Sequence, residues 1–184
     1  MTTYDRTTIR LHWTTAALIV ALWIIGQTAG WFPRGPERSV VWSTHYTLGA
    51  ILIVTYIARV TWRLTSGRRL PGVGPPALVK LAAAGHEIIY LAIGIVLALG
   101  IANLFAHGSS LWGVFRVPRI ADASLRHNIA GAHALGANLL LILAAAHAAV
   151  AIAHQFIWRD GVLTRMWPSL ARWAREPVED QLML

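Results

Sequence analysis

Four long apolar stretches, separated by short polar segments, dominate the pattern of residues along the chain. Each stretch is long enough to cross about 30 Å of hydrocarbon at about 1.5 Å per residue. The separators are rich in Pro, Gly and Arg, which end helices or lie outside a bilayer. The pattern therefore predicts four transmembrane helices, at about 11–30, 42–63, 78–103 and 129–158.

The segments outside these spans are predicted to be short. The separator 104–128 is polar and is expected to hold a short surface helix at about 121–127. The last segment, 159–184, is amphipathic around 163–174, which indicates a tail on the cytoplasmic membrane surface and not a fifth span. Since no sequence is left for a second globular unit, we predict one all-α domain over 1–184, an integral membrane four-helix bundle.

Composition supports a membrane protein, and charge gives its orientation. Of the 184 residues, 56% are hydrophobic and 13% are charged, whereas soluble domains are about a quarter charged. Lys and Arg number 16 against 8 Asp and Glu. In a membrane chain such an excess marks cytoplasmic loops and does not indicate nucleic acid. Eleven basic residues share the side of the N-terminus and five lie opposite, which predicts a multi-pass protein with cytoplasmic termini. On the assumption of a bacterial source, the membrane is the cell inner membrane.

Histidines are the unusual polar residues of these spans. The chain has 8 His and no Cys, which excludes iron–sulfur ligation and thiol chemistry. His133 and His147 both lie in span four, and fourteen residues turn a helix by about 1,400°, so the two project from nearly one face about 21 Å apart. His45, in span two, lies at the depth of His133. His12, in span one, lies at the depth of His147.

Two cross-helix histidine pairs suit haem iron better than zinc. A closed zinc site needs four protein ligands, whereas a porphyrin supplies four nitrogens and leaves two axial positions. Gly49 and Gly136 stand one turn from histidines, where a flat ring could enter between helices. Arg59 and Arg63 could hold haem propionates or reach lipid headgroups. A single histidine could equally be a core residue, but four at matched depths indicate function. The predicted iron ligands are His12, His45, His133 and His147.

These residues stand in motifs that resemble a known family. The motifs are Arg10-Leu11-His12-Trp13, His45-Tyr46-Thr47-Leu48-Gly49, His133-Ala134-Leu135-Gly136-Ala137-Asn138 and the run from His147 to Asp160. They resemble the bacterial cytochrome b561 family over nearly the whole chain, to about Met166. The 14-residue histidine spacing is shared with cytochrome b subunits of formate dehydrogenases and nickel–iron hydrogenases.

The resemblance implies a four-helix protein with two haem b groups. His12 and His147 would bind the inner haem, and His45 and His133 the outer one. A member of the family oxidises superoxide on the outer face and reduces ubiquinone. The resemblance therefore suggests a superoxide oxidase.

The outer face carries a positive charge that such an activity would use. It holds five arginines against Glu37 and Asp122, together with His107 and His127. A cationic funnel above the outer haem would steer a small anion. The other interpretation is a rim that binds lipid phosphates. The predicted catalytic residues are Arg116, Arg119 and Arg126.

A quinone acceptor at the inner end needs groups that supply protons. His154 lies seven residues beyond His147 on nearly the same face, and His86 is expected at the same inner depth, with Lys80 close by. His86, His154 and Lys80 are therefore the predicted quinone-binding residues. If His154 replaced His147 as an iron ligand, it would lie about 31 Å from His133 and push both haems to the membrane edges.

Two other functions remain as alternatives. The chain could be the haem-carrying membrane anchor of a larger dehydrogenase or hydrogenase, relaying electrons between that partner and the quinone pool. A metal or proton transporter would instead show no Soret band. The expected partners are membrane lipid, quinone and superoxide, with a homo-oligomer or a redox partner subunit left open.

Overall fold

The computed structural model describes residues 3–170, which form four long helices joined by short loops. The helices are α1 (Arg6–Thr28), α2 (Pro36–Thr65), α3 (Pro76–His107) and α4 (Ala123–Phe156). Single 3₁₀ turns follow α1 and α4, at Ala29–Trp31 and Leu163–Arg165. A small antiparallel ribbon of β1 (Ser110–Leu111) and β2 (Phe115–Arg116) lies between α3 and α4. All four helices are long and apolar enough to cross a membrane, which confirms the all-α integral membrane bundle.

Local sequence signals account for the helix ends. Asp5 and Asp122 cap α1 and α4, each accepting a hydrogen bond at 2.8 Å from a backbone N–H of the first turn. Pro36 and Pro76 begin α2 and α3, where the missing N–H of proline costs no helix bond. Gly108 follows α3 in the left-handed conformation, with φ +66°, as is common after a helix.

The helices extend beyond the predicted spans, most clearly at α4. The surface helix expected at about 121–127 is not a separate element, because the helix that starts at Ala123 continues without a break to Phe156. The cap at Asp122 starts the helix before the apolar stretch begins. The prediction treated those first polar residues as a connection because it was based on apolarity.

The closest packing lies within two helical hairpins. α1 packs along α2, and α3 packs along α4, whereas contacts between the hairpins are much sparser. Polar contacts cross this seam: the Tyr56 hydroxyl donates to the Tyr90 carbonyl at 3.0 Å, and the Trp23 indole donates to Asn138 Oδ1 at 2.8 Å. The seam between the hairpins is where the histidine pairs meet.

The N-terminus, the α2–α3 loop and the segment after α4 meet at one end of the bundle. The Trp62 indole N–H and the Arg68 backbone N–H each donate to the Asp5 carboxylate at 3.1 Å. The Trp13 indole donates to the Met166 carbonyl at 2.9 Å. We call this the inner end, after the side on which the charge count places it, and the opposite one the outer end.

The predicted tail is described only in part. Residues 159–170 form turns packed on the start of α1, and no fifth span is found within the described residues. The remainder, 171–184, which includes Arg172 and Arg175, lies outside the described residues.

Candidate functional site

Both predicted histidine pairs are present, and both cross the seam between the hairpins. The ring centroids of His12 and His147 are 6.3 Å apart, and those of His45 and His133 are also 6.3 Å apart. A metal–imidazole bond of about 2 Å, with about 1 Å more from nitrogen to ring centre, puts two imidazoles on one metal about 6 Å apart. Each pair therefore fits the two axial positions of one iron.

The ligand chemistry of these pairs agrees with a porphyrin. Within residues 3–170, no group of three or more His, Asp or Glu side chains converges as a metal site. A metal held by either pair needs further ligands from elsewhere. Haem brings four nitrogens of its own and leaves two places for imidazoles.

Glycines make room for the outer histidine rings. A Cβ atom at Gly100 would lie 3.1 Å from His133 Cε1, and one at Gly26 would lie 3.6 Å from His45 Cε1. His133 Nδ1 lies 3.1 Å from the Val96 carbonyl oxygen, so Nδ1 donates and Nε2 is left to bind a metal. The sequence analysis did not identify Gly26, although a glycine inside an apolar span is a signal for close approach.

The two glycines predicted to leave room for a haem differ from each other. A Cβ atom at Gly49 would meet nothing within 4 Å, which fits a flat ring entering beside His45. A Cβ atom at Gly136 would lie 3.2 Å from Val96 Cγ2. Gly136 therefore allows α4 to pack on α3, and its predicted role is corrected accordingly.

Two arginines lie beside the inner pair. Arg59 Nη2 donates to His12 Nδ1 at 2.9 Å, so Arg59 must move from this contact for His12 to carry its proton on Nδ1 and bind iron through Nε2. The Arg59 guanidinium carbon is 5.0 Å from the centre of the Tyr90 ring. The corresponding distance for Arg63 is 5.7 Å. Within residues 3–170 neither guanidinium has a carboxylate partner, so both can bind an anion such as a propionate. The sequence analysis missed Tyr90, which lies one turn after His86.

His86 lies against the inner pair, deeper in the bundle than predicted. Its ring centroid is 5.0 Å from that of His147, and its Nδ1 is 2.7 Å from the Ala82 carbonyl oxygen. Because α3 begins at Pro76, His86 is almost three turns inside the helix. The sequence analysis placed it at the depth of His154, where the structure does not bring it.

His154, in the last turn of α4, has a carboxylate partner. Its Nδ1 is 2.5 Å from Asp160 Oδ2, and its ring centroid is 4.5 Å from that of Trp158. Lys80 is exposed in the first turns of α3. In the described part of the chain no hydrogen bond joins His154 to Lys80 or His86. Asp160 was missed as a site residue, although it ends the motif that begins at His147.

The three outer arginines surround the connection between α3 and α4. Arg116 is exposed at the end of β2. The Arg119 Nε–H donates to the His107 carbonyl at 3.3 Å, and Arg126 is half-buried at the start of α4. None of the three has a carboxylate partner in the described ranges, so their charges are not neutralised within the protein.

Hydrogen bonds fix this connection on the outer end of α2, at the depth of His45. Trp112 donates through its backbone N–H to the buried Ser43 hydroxyl and through its indole N–H to the Thr47 hydroxyl, both at 3.0 Å. Trp112 has a positive φ of +52°, which costs a residue with a side chain about 1–2 kcal/mol. The two hydrogen bonds offset that cost and hold the ribbon that carries Arg116.

Comparison with known proteins identifies the family. The model of the prokaryotic cytochrome b561 family matches residues 3–169. The chain belongs to this family. The chain is similar to cytochrome b561 homolog 1 of Escherichia coli (strain K12), with 31% identity over 179 residues, 91% of this chain and 98% of the relative. It is also similar to cytochrome b561 homolog 2 of the same strain, with 32% identity over 170 residues, 84% of this chain and 86% of the relative.

A third relative carries a functional name. The probable superoxide oxidase CybB of Yersinia pestis is 29% identical over 174 residues, 90% of this chain and 96% of the relative. Membership of the cytochrome b561 family makes the protein a bacterial multi-pass membrane oxidoreductase of electron transport, with haem b as its cofactor. The resemblance seen in the sequence is thereby confirmed.

Proposed function

We propose that this cytochrome b561 oxidises superoxide at its outer end and reduces ubiquinone at its inner end, with both termini in the cytoplasm and the bundle in the bacterial inner membrane. The main supporting observation is that the ring centroids are 6.3 Å apart in both histidine pairs, which lie at two depths of the seam between the hairpins. His12 and His147 would hold the inner haem b, and His45 and His133 the outer one. Haem supplies one-electron redox chemistry when bound.

At the outer end, the chain attracts the substrate by charge. Superoxide is a small anion, and unpaired arginines at the mouth of a site raise its encounter rate. Each superoxide ion gives up one electron and leaves as neutral dioxygen, which the same charges do not retain. The proposed steering residues are Arg116, Arg119 and Arg126.

At the inner end, the chain supplies protons and binds anions. Two superoxide ions, one quinone and two protons give two dioxygen molecules and one quinol. His154 and Lys80 are the proposed proton-donating contacts of the quinone, and His86 lines the site from α3. Arg59 and Arg63 are proposed to hold haem propionates.

The test is a stopped-flow measurement on the purified protein alone. Superoxide should reduce the haem rapidly, and ubiquinone should then reoxidise it. Replacing Arg116, Arg119 and Arg126 with Gln should slow reduction about tenfold and weaken its salt dependence. The matched control replaces three exposed arginines of the inner end, Arg6, Arg10 and Arg69, with Gln and should leave the rate unchanged.

Two outcomes would contradict the proposal. An unchanged rate in the outer triple variant would exclude electrostatic steering. A haem that superoxide does not reduce, but that accepts electrons from an added dehydrogenase, would indicate the membrane-anchor function instead.

A further inference from the structure

We propose that Asp160 is a positioning residue for quinone reduction, which holds His154 in the tautomer whose Nε2 atom transfers the proton. The inference rests on the proposed quinone function at the inner end. It concerns a side chain that makes no direct contact with the quinone and acts through His154.

The contact between the two side chains fixes their orientation. His154 Nδ1 and Asp160 Oδ2 are 2.5 Å apart, and the side chains are 25% and 21% exposed. The second carboxylate oxygen, Oδ1, accepts from the Val162 backbone N–H at 3.2 Å. Because both oxygens are engaged, the carboxylate cannot turn away, and it requires a proton on His154 Nδ1. Nε2 is therefore the atom left to exchange a proton.

The residues on either side of Asp160 have the left-handed conformation. Arg159 and Gly161, on either side of Asp160, have φ of +53° and +75°. The left-handed conformation is ordinary for glycine but unfavourable for arginine. The Asp160 backbone N–H also donates to the His154 carbonyl at 3.2 Å, so the turn returns directly to the residue that its side chain binds.

The ion pair by itself contributes little to stability. A partly exposed ion pair returns little stability, and a left-handed arginine costs at least as much. Within residues 3–170 no other ion pair is formed, although the inner end is rich in basic side chains. Backbone strain maintained around one carboxylate is typical of functional sites.

A histidine–aspartate pair suits the chemistry of quinone reduction. Quinone reduction consumes two protons with its two electrons, and superoxide is the source of the electrons in the proposed function. His154 would take up a proton at Nε2 from the inner aqueous side and donate it to a quinone oxygen. Asp160 keeps the proton on Nδ1 and balances the charge of the imidazolium meanwhile. Trp158, 4.5 Å from the His154 ring centroid, contacts the ring as well.

The experiment follows reoxidation of the dithionite-reduced holoprotein by ubiquinone-1 at several quinone concentrations. Asp160→Asn should lower kcat about tenfold to a hundredfold with KM unchanged, because the amide can present its NH₂ group to Nδ1 and favour the wrong tautomer. Asp160→Glu should recover most of the rate. Haem content and the reduced spectrum should stay as in the unaltered protein. The control, Asp122→Asn at the outer cap of α4, should not change the rate.

A double-mutant cycle keeps the test decisive. His154→Gln should be as slow as Asp160→Asn, and combining the two should give no further loss. Additive losses, an unchanged kcat in Asp160→Asn, or a change in KM alone would overturn the inference. If ubiquinone does not reoxidise the unaltered protein, the proposed quinone function fails, and the role of Asp160 fails with it.

Discussion

The inner and outer histidine pairs have the same width and different surroundings. At the inner pair, an Arg59 guanidinium nitrogen lies 2.9 Å from His12, and the His86 ring lies 5.0 Å from His147. At the outer pair, His133 donates to a backbone carbonyl. In the described part of the chain no charged side chain forms a hydrogen bond or ion pair with either outer ring. The distance between the paired rings is the same at both depths, whereas, within residues 3–170, only the inner pair has a charged side chain in contact with it.

We expect this difference to affect the potentials of the two proposed haems. A positive charge near a redox centre stabilises the form that has gained an electron, and the effect is large where water is excluded. Arg59 is half-buried and has no carboxylate partner among the described residues. Because Arg59 would offset the negative charge of the propionate that it is proposed to hold, we expect the inner haem to have the higher potential, which is the direction that the proposed function requires.

Removing one member of a pair should have the largest effect. His45→Ala should halve the haem content and leave the inner haem in place, because an axial position without its imidazole no longer holds the ring. His12→Ala should have the mirror-image effect. The measurement is the haem-to-protein ratio, with His107→Ala as the control outside both pairs. Retention of both haems in His45→Ala would contradict the pairing.

Removing the inner cation should abolish the asymmetry. Arg59→Gln should lower the potential of the inner haem so that the equilibrium constant for inward electron transfer falls about tenfold, or ~59 mV for one electron. Potentiometric titration measures both haems separately. Arg10→Gln, an exposed inner arginine outside the pair, should leave both potentials unchanged. If Arg59→Gln shifted the potential of the outer haem alone, the expected effect of Arg59 on the inner haem would be wrong.

Crowding the outer pair should affect that end alone. A Cβ atom at Gly100 would lie 3.1 Å from the His133 ring, so Gly100→Ala should move the ring and cost about 1–3 kcal/mol of stability. The low-spin electron paramagnetic resonance signal of the outer haem should shift, while the inner signal stays. Gly85→Ala, on the same helix with nothing within 4 Å, is the control. Equal effects of both changes would mean that the ring contact is unimportant.

The smallest expected effect is on stability, from the Asp5 cap at the inner end of the bundle. Partial burial works against ionisation of Asp5, but hydrogen bonds from Thr8, Arg68 and Trp62 outweigh it and hold the pKa of Asp5 well below its ordinary value. The ionised Asp5 carboxylate therefore adds to the free energy of unfolding above about pH 4, and this contribution is lost as the pH falls through the lowered pKa. Asp5→Ala should cost about 1–2 kcal/mol at pH 7.

Thermal unfolding in detergent at several pH values measures this contribution. The gap between the unaltered protein and Asp5→Ala should narrow as the pH falls below about 4. Asp122→Ala removes an outer cap without the partners of Asp5 and should cost less, about 1 kcal/mol. A gap that grows in acid would show that the Asp5 charge does not stabilise the inner end.

The spans and the four paired histidines were predictable because they depend on two regular quantities, hydrocarbon thickness and helical periodicity. The depth match of His133 with His45 follows from rise per residue alone. The start of α4 was not predicted, because its first turns are polar and apolarity was the criterion. The cap at Asp122 was the local signal that locates it.

Contacts that depend on the conformation of backbone turns could not be predicted from the sequence. Asp160 meets His154 only because Arg159 adopts a positive φ, which residue type does not indicate. His86 was placed too close to the surface because α3 begins ten residues before it, at Pro76, which puts His86 almost three turns inside the helix. Arg59 in α2 contacts Tyr90 in α3. Helical periodicity does not give the rotation of one helix relative to another, so this contact could not be predicted.

The sparse packing between the two hairpins bears on how the protein matures in the cell. The helices of each hairpin are closely packed on each other, and a haem held by each histidine pair would add contacts between the two hairpins. Delivery of the macrocycle would then be the step that joins the halves. Without haem, we expect the two hairpins to be held together less firmly and the protein to be cleaved more readily by proteases.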